Sequence, residues 1–235
     1  MIVLRSALFW LALLLVTPPY AVIALATAPL PRMLRYRIIS GWSWLMLWCL
    51  RGLCGIRWRV EGREHLPKAP SVILAKHQSA WETLAFQQIF PPQVHVLKRE
   101  LLWLPFFGWG LALMSPIAID RGRGLSALRQ MARRGRVRLQ QGFWVVVFPE
   151  GTRVKPGGKR KYQLGGAWLA AHSGAKVVPV AHNAGRFWPR NSFLKYPGRV
   201  TVRIGPPIDS TGREPEEINA LAEMWIETQQ RTLDS

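Results

Sequence analysis

Two long apolar stretches dominate the first quarter of the chain. The first, Ser6 to Leu30, has about 25 residues without a charge, which at helical rise is long enough to cross a bilayer core of about 30 Å. Pro18 and Pro19 interrupt it, so a kinked or re-entrant helix fits the pattern as well as a straight crossing does. The second stretch, Ile38 to Leu50, is shorter and rich in tryptophan, which is typical of the membrane interface. We interpret residues 1–54 as hydrophobic, membrane-anchoring helices.

The pattern changes after Gly55 to one that is typical of an α/β domain. Short strands, either alternating or continuously apolar, are predicted at Ile56–Glu61, Ser71–Ala75, Phe143–Phe148, Lys176–Ala181 and Arg199–Ile204. Helices are predicted at Ser79–Phe90, Gly124–Gln141, Gly165–Ser173 and Pro215–Thr232. Because strands and helices alternate, we predict that residues 55–235 form one α/β domain with a mixed central sheet flanked by helices.

The charge of the chain narrows its possible partners. A net charge of +19, from 32 basic and 13 acidic residues, would attract either nucleic acid or an anionic bilayer. Twelve tryptophans and a hydrophobic fraction of 49% favour the bilayer, because indole rings settle at the headgroup level. The sequence has no zinc-finger, RNA-recognition or helix-turn-helix pattern. We therefore predict membrane phospholipids as partners and no nucleic acid, with a basic membrane- or nucleic-acid-binding protein as the non-enzymatic alternative.

The six residues HQSAWE, from His77 to Glu82, follow one of the predicted buried strands. One interpretation is structural, with Ser79 capping a helix and Glu82 completing a capping box. The other is catalytic: the histidine lies at the carboxyl end of a strand, where open α/β sheets bind ligands. A glutamate in the next turn could then fix the tautomer of the imidazole and support its positive charge. The spacing leaves both open, and we expect that Glu82 cannot fully satisfy both uses at once.

A second polar motif, FPEGTR (Phe148 to Arg153), also follows a predicted strand directly. Gly151 would let the backbone approach a ligand closely, and Thr152 and Arg153 offer a hydroxyl and a forked cation suited to phosphate. Glu150 adds an acceptor. Taken alone, the motif also fits an ordinary turn with a solvated arginine.

Together the motifs resemble those of the glycerophospholipid acyltransferases, in particular the bacterial 1-acylglycerol-3-phosphate acyltransferases. HQSAWE matches the first block of that family, with Glu82 where the family has aspartate. The other blocks are matched by Leu97–Arg121, Phe148–Arg153 and Val177–Asn183. Four blocks in order over about 110 residues make the resemblance specific.

The resemblance implies transfer of a fatty acyl group to the free sn-2 hydroxyl of 1-acyl-sn-glycerol-3-phosphate (lysophosphatidic acid), which gives phosphatidic acid. The donor would be acyl-CoA or acyl-carrier protein as co-substrate, with no cofactor and no metal. His77 is then the general base and Glu82 orients it. Carried over from the family, the phosphate-holding residues are Lys98, Arg121, Glu150, Gly151, Thr152 and Arg153. Another lysolipid acceptor, such as lyso-ornithine lipid, is the enzymatic alternative.

Other features leave alternatives open. Leu101–Met114 is predicted to be a helix broken by Pro105 and Gly108, and it fits an acyl-chain slot as well as core packing. The basic loop after Arg153 could contact an acidic carrier protein, coenzyme A phosphates, lipid headgroups or solvent. His95 is expected near a surface turn and has no assigned role. Taken with the resemblance, the apolar N-terminus predicts the bacterial inner membrane, with the catalytic domain on the cytoplasmic side.

Overall fold

A computed structural model describes residues 1–120 and 124–234. In that part of the chain, seven strands form one sheet in the order β1-β7-β6-β2-β5-β3-β4. The strands are β1 (Ile56–Glu61), β2 (Val72–Ala75), β3 (Gln93–Lys98), β4 (Ile117–Ile119), β5 (Trp144–Val147), β6 (Val177–His182) and β7 (Gly198–Ile204). Neighbouring strands are parallel except for the antiparallel pair β6 and β7, so the sheet is mixed, as predicted.

Helices cover both faces of the sheet, which confirms the predicted fold class. They are α1 (Ile2–Ala26), α2 (Arg32–Cys54), α3 (Trp81–Ile89), α4 (Phe107–Leu113), α5 (Gly124–Gln140), α6 (Gly165–Ser173), α7 (Ala184–Phe187) and α8 (Pro215–Asp234). The predicted helices agree with the observed ones to within about two residues at each end. Leu101–Met114 is interrupted as predicted near Pro105, but Gly108 lies buried inside α4 and does not break it.

Successive side chains of the central strands point alternately into two hydrophobic cores, one on each face of the sheet. Ile73 and Val146 face a cluster that includes Phe9 of α1, Met46 of α2 and Phe86 of α3. Their neighbours Val72, Leu74, Val145 and Val147 face the opposite cluster, with Met131, Leu169 and Ile226 from α5, α6 and α8. Strands covered on both faces need no polar face, which is why their sequences are continuous apolar runs. The N-terminal helices thus share a core with the sheet, and the domain boundary after residue 54 stays a prediction.

Helix α1 leaves much of its apolar surface uncovered. It continues through Pro18 and Pro19 to Ala26, and its exposed side chains include Leu14 at 66% and Val22 at 63%. Over the described residues, α1 is the single helix that is long and apolar enough to cross a bilayer: it has 25 residues, and the mean hydropathy of an 18-residue window within it is 2.1. Exposed Trp44 and Trp48 on α2 extend the apolar surface, in line with the predicted interfacial stretch. These helices could therefore anchor the protein to a membrane.

Candidate active site

His77 lies two residues beyond the end of β2, at the carboxyl edge of the sheet. Its Nδ1 is 2.8 Å from Oε1 of Glu82, at the start of α3. The imidazole stacks on the ring of Phe148, with centroids 4.0 Å apart and planes inclined by 14°. Since an ionised carboxylate accepts hydrogen bonds but donates none, Nδ1 carries the proton in this pair and Nε2 keeps a free lone pair. The ring is therefore held in the tautomer that a general base needs.

One oxygen of Glu82 serves both uses that the sequence sets in competition. Besides the His77 ring, Oε1 accepts the backbone N–H groups of Gln78 at 2.9 Å and Ser79 at 2.8 Å. The expectation that Glu82 cannot fully satisfy both uses at once is wrong, because its Oε1 accepts all three hydrogen bonds. Ser79 Oγ accepts the N–H of Trp81 at 3.1 Å, so the serine also supports the start of the helix.

The buried Glu82 is kept ionised by its surroundings. Burial alone would raise the pKa of this carboxyl, but His182, the His77 ring and the Ser79 amide together lower that pKa below its usual value. Its other oxygen, Oε2, has no hydrogen-bond partner among the described residues. The site thus places a negative charge behind the imidazole, which supports the cation formed when Nε2 takes a proton.

Glu150 holds the backbone of the same histidine. Its Oε2 accepts the N–H of His77 at 2.8 Å, and its Oε1 is paired with Lys76 Nζ at 2.8 Å. Lys76 Nζ also contacts Glu227 of α8 at 2.8 Å and the carbonyl of Gly158 at 3.1 Å. Burial would lower the pKa of Lys76, but Glu150 and Glu227 raise it above its usual value. We call Lys76, Glu150 and Glu227 the lysine network; it joins the two sequence motifs to the last described helix.

A cavity of about 440 Å³ opens beside His77 and Phe148. Four of the predicted substrate-binding residues line it, namely Lys98, Gly151, Thr152 and Arg153. The side chain of Glu150, in contrast, is fully buried in the lysine network. Arg121 lies outside the described residues. The structure therefore brings the histidine together with two cationic side chains in one cavity.

The other end of this cavity is apolar. Its walls there come from α1, α2 and α4, and they include Ala21, Ile39, Trp42, Phe107 and Leu111. Leu101–Met114 thus contributes to the wall, as the acyl-slot interpretation expects. The apolar cavity runs from the catalytic edge of the sheet to the helices that carry the exposed apolar surface.

Sequence reasoning missed several residues of the site. Arg190 lines the cavity, and its Nη1 donates to the carbonyl of Arg153 at 2.8 Å. The prediction that His95 lies near a surface turn is wrong: His95 lies in β3 and is 9% exposed. Its Nδ1 accepts a hydrogen bond from the side-chain amide of Gln87 at 3.4 Å, so Nε2 carries the proton when the ring is neutral. A strand as polar as QVHVLK gives little sign of being buried, and nothing local to Lys76 indicates its distant partners.

Comparisons with known proteins agree with this geometry. A family model described as Acyltransferase matches residues 57–183. The 1-acyl-sn-glycerol-3-phosphate acyltransferase of Pseudomonas aeruginosa is 45% identical over 95% of this chain and 89% of its own length. The alpha form from Bos taurus is 34% identical over 76% of this chain and 63% of its own.

The fold has a solved counterpart. The crystal structure of the 1-acyl-sn-glycerophosphate (LPA) acyltransferase PlsC from Thermotoga maritima superposes with a TM-score of 0.82, at 22% identity. The match covers 100% of this chain and 96% of that one. The family match and the Pseudomonas relative confirm the resemblance read from the motifs: the chain belongs to the glycerophospholipid acyltransferase family.

Proposed function

We propose that the protein transfers a fatty acyl group from a thioester to the sn-2 hydroxyl of 1-acyl-sn-glycerol-3-phosphate, giving phosphatidic acid. The observation that carries this proposal is the pair of His77 and Glu82 beside a cavity that is also lined by Thr152 and Arg153. The relatives from Pseudomonas aeruginosa and Bos taurus are named as acyltransferases for this lysolipid, which supports the choice of acceptor.

The residues suit the chemistry in a single transfer step. His77 Nε2 takes the proton of the lipid hydroxyl while the hydroxyl oxygen attacks the thioester carbonyl carbon. The carbon–sulfur bond then breaks, and the proton passes from Nε2 to the leaving thiolate. No acyl-enzyme is needed, because the thioester is already activated and both substrates meet at one site. Acyl-CoA or acyl-carrier protein is then a co-substrate, and the reaction needs no further cofactor.

The acceptor's phosphate would lie at the cationic part of the cavity. Lys98 and Arg153 offer charges there, and Arg190 adds a third. A guanidinium binds phosphate oxygens in a forked geometry, so Arg153 and Arg190 suit a phosphomonoester better than a neutral headgroup. The apolar end of the cavity takes a fatty chain, each buried methylene contributing about 0.8 kcal/mol.

The apolar surface of α1 and α2 supports a reaction at a membrane. We propose the bacterial inner membrane, with the sheet on the cytoplasmic side, where free cysteines such as Cys49 and Cys54 stay reduced. Membrane phospholipids are then partners as well as products.

The test is an acceptor panel. The purified protein is incubated with labelled acyl thioester and with lysophosphatidic acid, its phosphate-free counterpart monoacylglycerol, or lyso-ornithine lipid, and products are identified by mass. We expect phosphatidic acid as the main product, with turnover of the phosphate-free acceptor lower by about tenfold or more. Equal turnover of lysophosphatidic acid and monoacylglycerol would contradict the proposed binding of the acceptor's phosphate. Preferred acylation of lyso-ornithine lipid would show that this lipid, and not lysophosphatidic acid, is the acceptor.

A further inference from the structure

A second cavity, of about 810 Å³, adjoins the catalytic one. The residues that line both cavities are Val96, Lys98, Phe148, Gly151, Thr152 and Arg190. This shared wall includes Phe148, on which the His77 ring stacks. A ligand that lies across the shared wall would therefore have one part in each cavity and its middle near the catalytic histidine.

The two cavities differ in chemistry. The first ends among apolar side chains of α1, α2 and α4. The second lies between the sheet and the region of α5 and α6, where Leu128 forms part of its wall. Its wall is more polar than that of the first: besides apolar side chains it includes Glu100 and Gln163, and the cations Arg160 and Lys161 of the loop that precedes α6.

An acyl thioester likewise has one apolar part and one polar part. On one side of its carbonyl is a fatty chain; on the other is a pantetheine arm, which is neutral and rich in amides and ends in a phosphate. When the carbonyl lies beside His77 and the chain enters the apolar cavity, the arm must leave in a different direction. The second cavity shares a wall with the first and offers both hydrogen-bond partners for amides and positive charge.

We propose that the second cavity binds the phosphopantetheine arm of the acyl donor, and that Arg160 and Lys161 contact its phosphate. This rests on the proposed acyl transfer. The same cavity suits the acceptor's phosphate less well, because the carboxylate of Glu100 lines it and would repel a dianion, whereas it can accept hydrogen bonds from the amides of the arm.

The first experiment removes the charges. The double variant Arg160→Ala/Lys161→Ala is assayed with acyl-CoA, with acyl-carrier protein and with acyl-pantetheine, which has no phosphate. We expect KM for the phosphate-bearing donor to rise at least about tenfold, because both charge-assisted contacts to its phosphate are lost. KM for lysophosphatidic acid and for acyl-pantetheine should change less than twofold. Lys155→Ala is the matched control, because Lys155 belongs to the same loop but lies outside both cavity walls.

Comparison of acyl-CoA with acyl-carrier protein shows which of them donates the acyl group, since KM should rise for the donor that the wild-type protein turns over.

A second variant tests whether the arm passes through the second cavity. Leu128→Trp narrows the second cavity and should raise KM for all three donors, acyl-pantetheine included. Leu125→Trp, on an exposed position of the same helix, should leave every KM unchanged.

The proposal is overturned if KM for lysophosphatidic acid rises in place of the donor's, which would make the second cavity the acceptor site. It is equally overturned if neither KM moves in the charge variant and Leu128→Trp behaves as wild type. Both outcomes leave the acyl transfer intact. Failure of the wild-type protein to acylate lysophosphatidic acid would instead overturn the proposed function, whatever the variants do.

Discussion

Two carboxylates hold the same histidine in different ways. Glu82 accepts a hydrogen bond from the ring of His77, whereas Glu150 accepts one from its backbone N–H. In the proposed mechanism, Glu82 faces a ring that changes charge during the reaction, whereas Glu150 is paired with the cation of Lys76. The two carboxylates would then have different roles: Glu82 supports the proton transfer, and Glu150 fixes the position of the His77 backbone.

Removal of the imidazole should have the largest effect. His77→Ala is expected to lower kcat by about 10³- to 10⁴-fold, because no base remains for the lipid hydroxyl. Circular dichroism and membrane association should stay as in wild type. His172→Ala, which removes an exposed ring stacked on Trp168, should leave kcat unchanged. Undiminished turnover in His77→Ala would rule out the proposed base.

Breaking the lysine network should cost stability as well as activity. Lys76→Met leaves the buried Glu150 without its cation, and loss of one partner of a buried pair typically costs about 3–5 kcal/mol in the free energy of unfolding. Urea unfolding in detergent measures this loss. The double variant Lys76→Met/Glu150→Gln should recover part of it, since one buried charge is removed together with its partner. A loss below about 1 kcal/mol in the single variant would show that the pair adds little.

Removal of the charge of Glu82 should lower kcat more than it lowers stability. Glu82→Gln can still accept the backbone N–H groups of Gln78 and Ser79, but it no longer supports a charged imidazole. We expect kcat to fall by about 10²-fold, with an unfolding free energy within about 1 kcal/mol of wild type. Glu64→Gln, at an exposed position, is the control. Unfolding of Glu82→Gln with no specific loss of kcat would assign Glu82 to structure alone.

The buried His95 should make the stability of the protein depend on pH, with an effect smaller than those above. Burial, together with the charge of His77, lowers the pKa of His95 to about 4. In the unfolded chain this imidazole takes up a proton near pH 6.5, whereas in the folded protein it stays neutral down to about pH 4. The free energy of unfolding therefore falls as the pH drops from about 6.5 to about 4. For this one group the loss between pH 7 and pH 5 is about 2 kcal/mol.

Urea unfolding at both pH values, for wild type and His95→Phe, measures this contribution as a difference. The variant should lose less stability on acidification than wild type does, because it no longer has the buried imidazole. His172→Phe, at an exposed position, should behave as wild type. An equal pH dependence in wild type and His95→Phe would show that His95 titrates normally in the folded protein.

The fold was largely predictable because its strands are short and apolar. β2, β5 and β6 are buried on both faces, which leaves continuous apolar runs such as Val72–Ala75. β3 was missed because Gln93 and His95 interrupt its pattern, although both side chains are buried. The three residues of β4 are too few to show a period.

Without the family resemblance, which supplied Lys98, Thr152 and Arg153, the site was predictable only where its contacts are local. His77 and Glu82 are five residues apart, and that spacing alone indicates a pair. Lys76 and Glu227 are separated by 151 residues, so no short pattern links them. The competition expected for Glu82 did not arise, because one carboxylate oxygen accepts several hydrogen bonds when the backbone turns tightly around it.

The lysine network also orders events during synthesis. Glu227 follows Lys76 by 151 residues, so at translation rates of about 5–20 residues per second the partner emerges from the ribosome roughly 8 to 30 seconds later. Helix α1, in contrast, is complete at the outset and free to meet lipid. The proposed membrane anchor can therefore form before the lysine network does, and Lys76 stays without its Glu227 contact until the last described helix has been made.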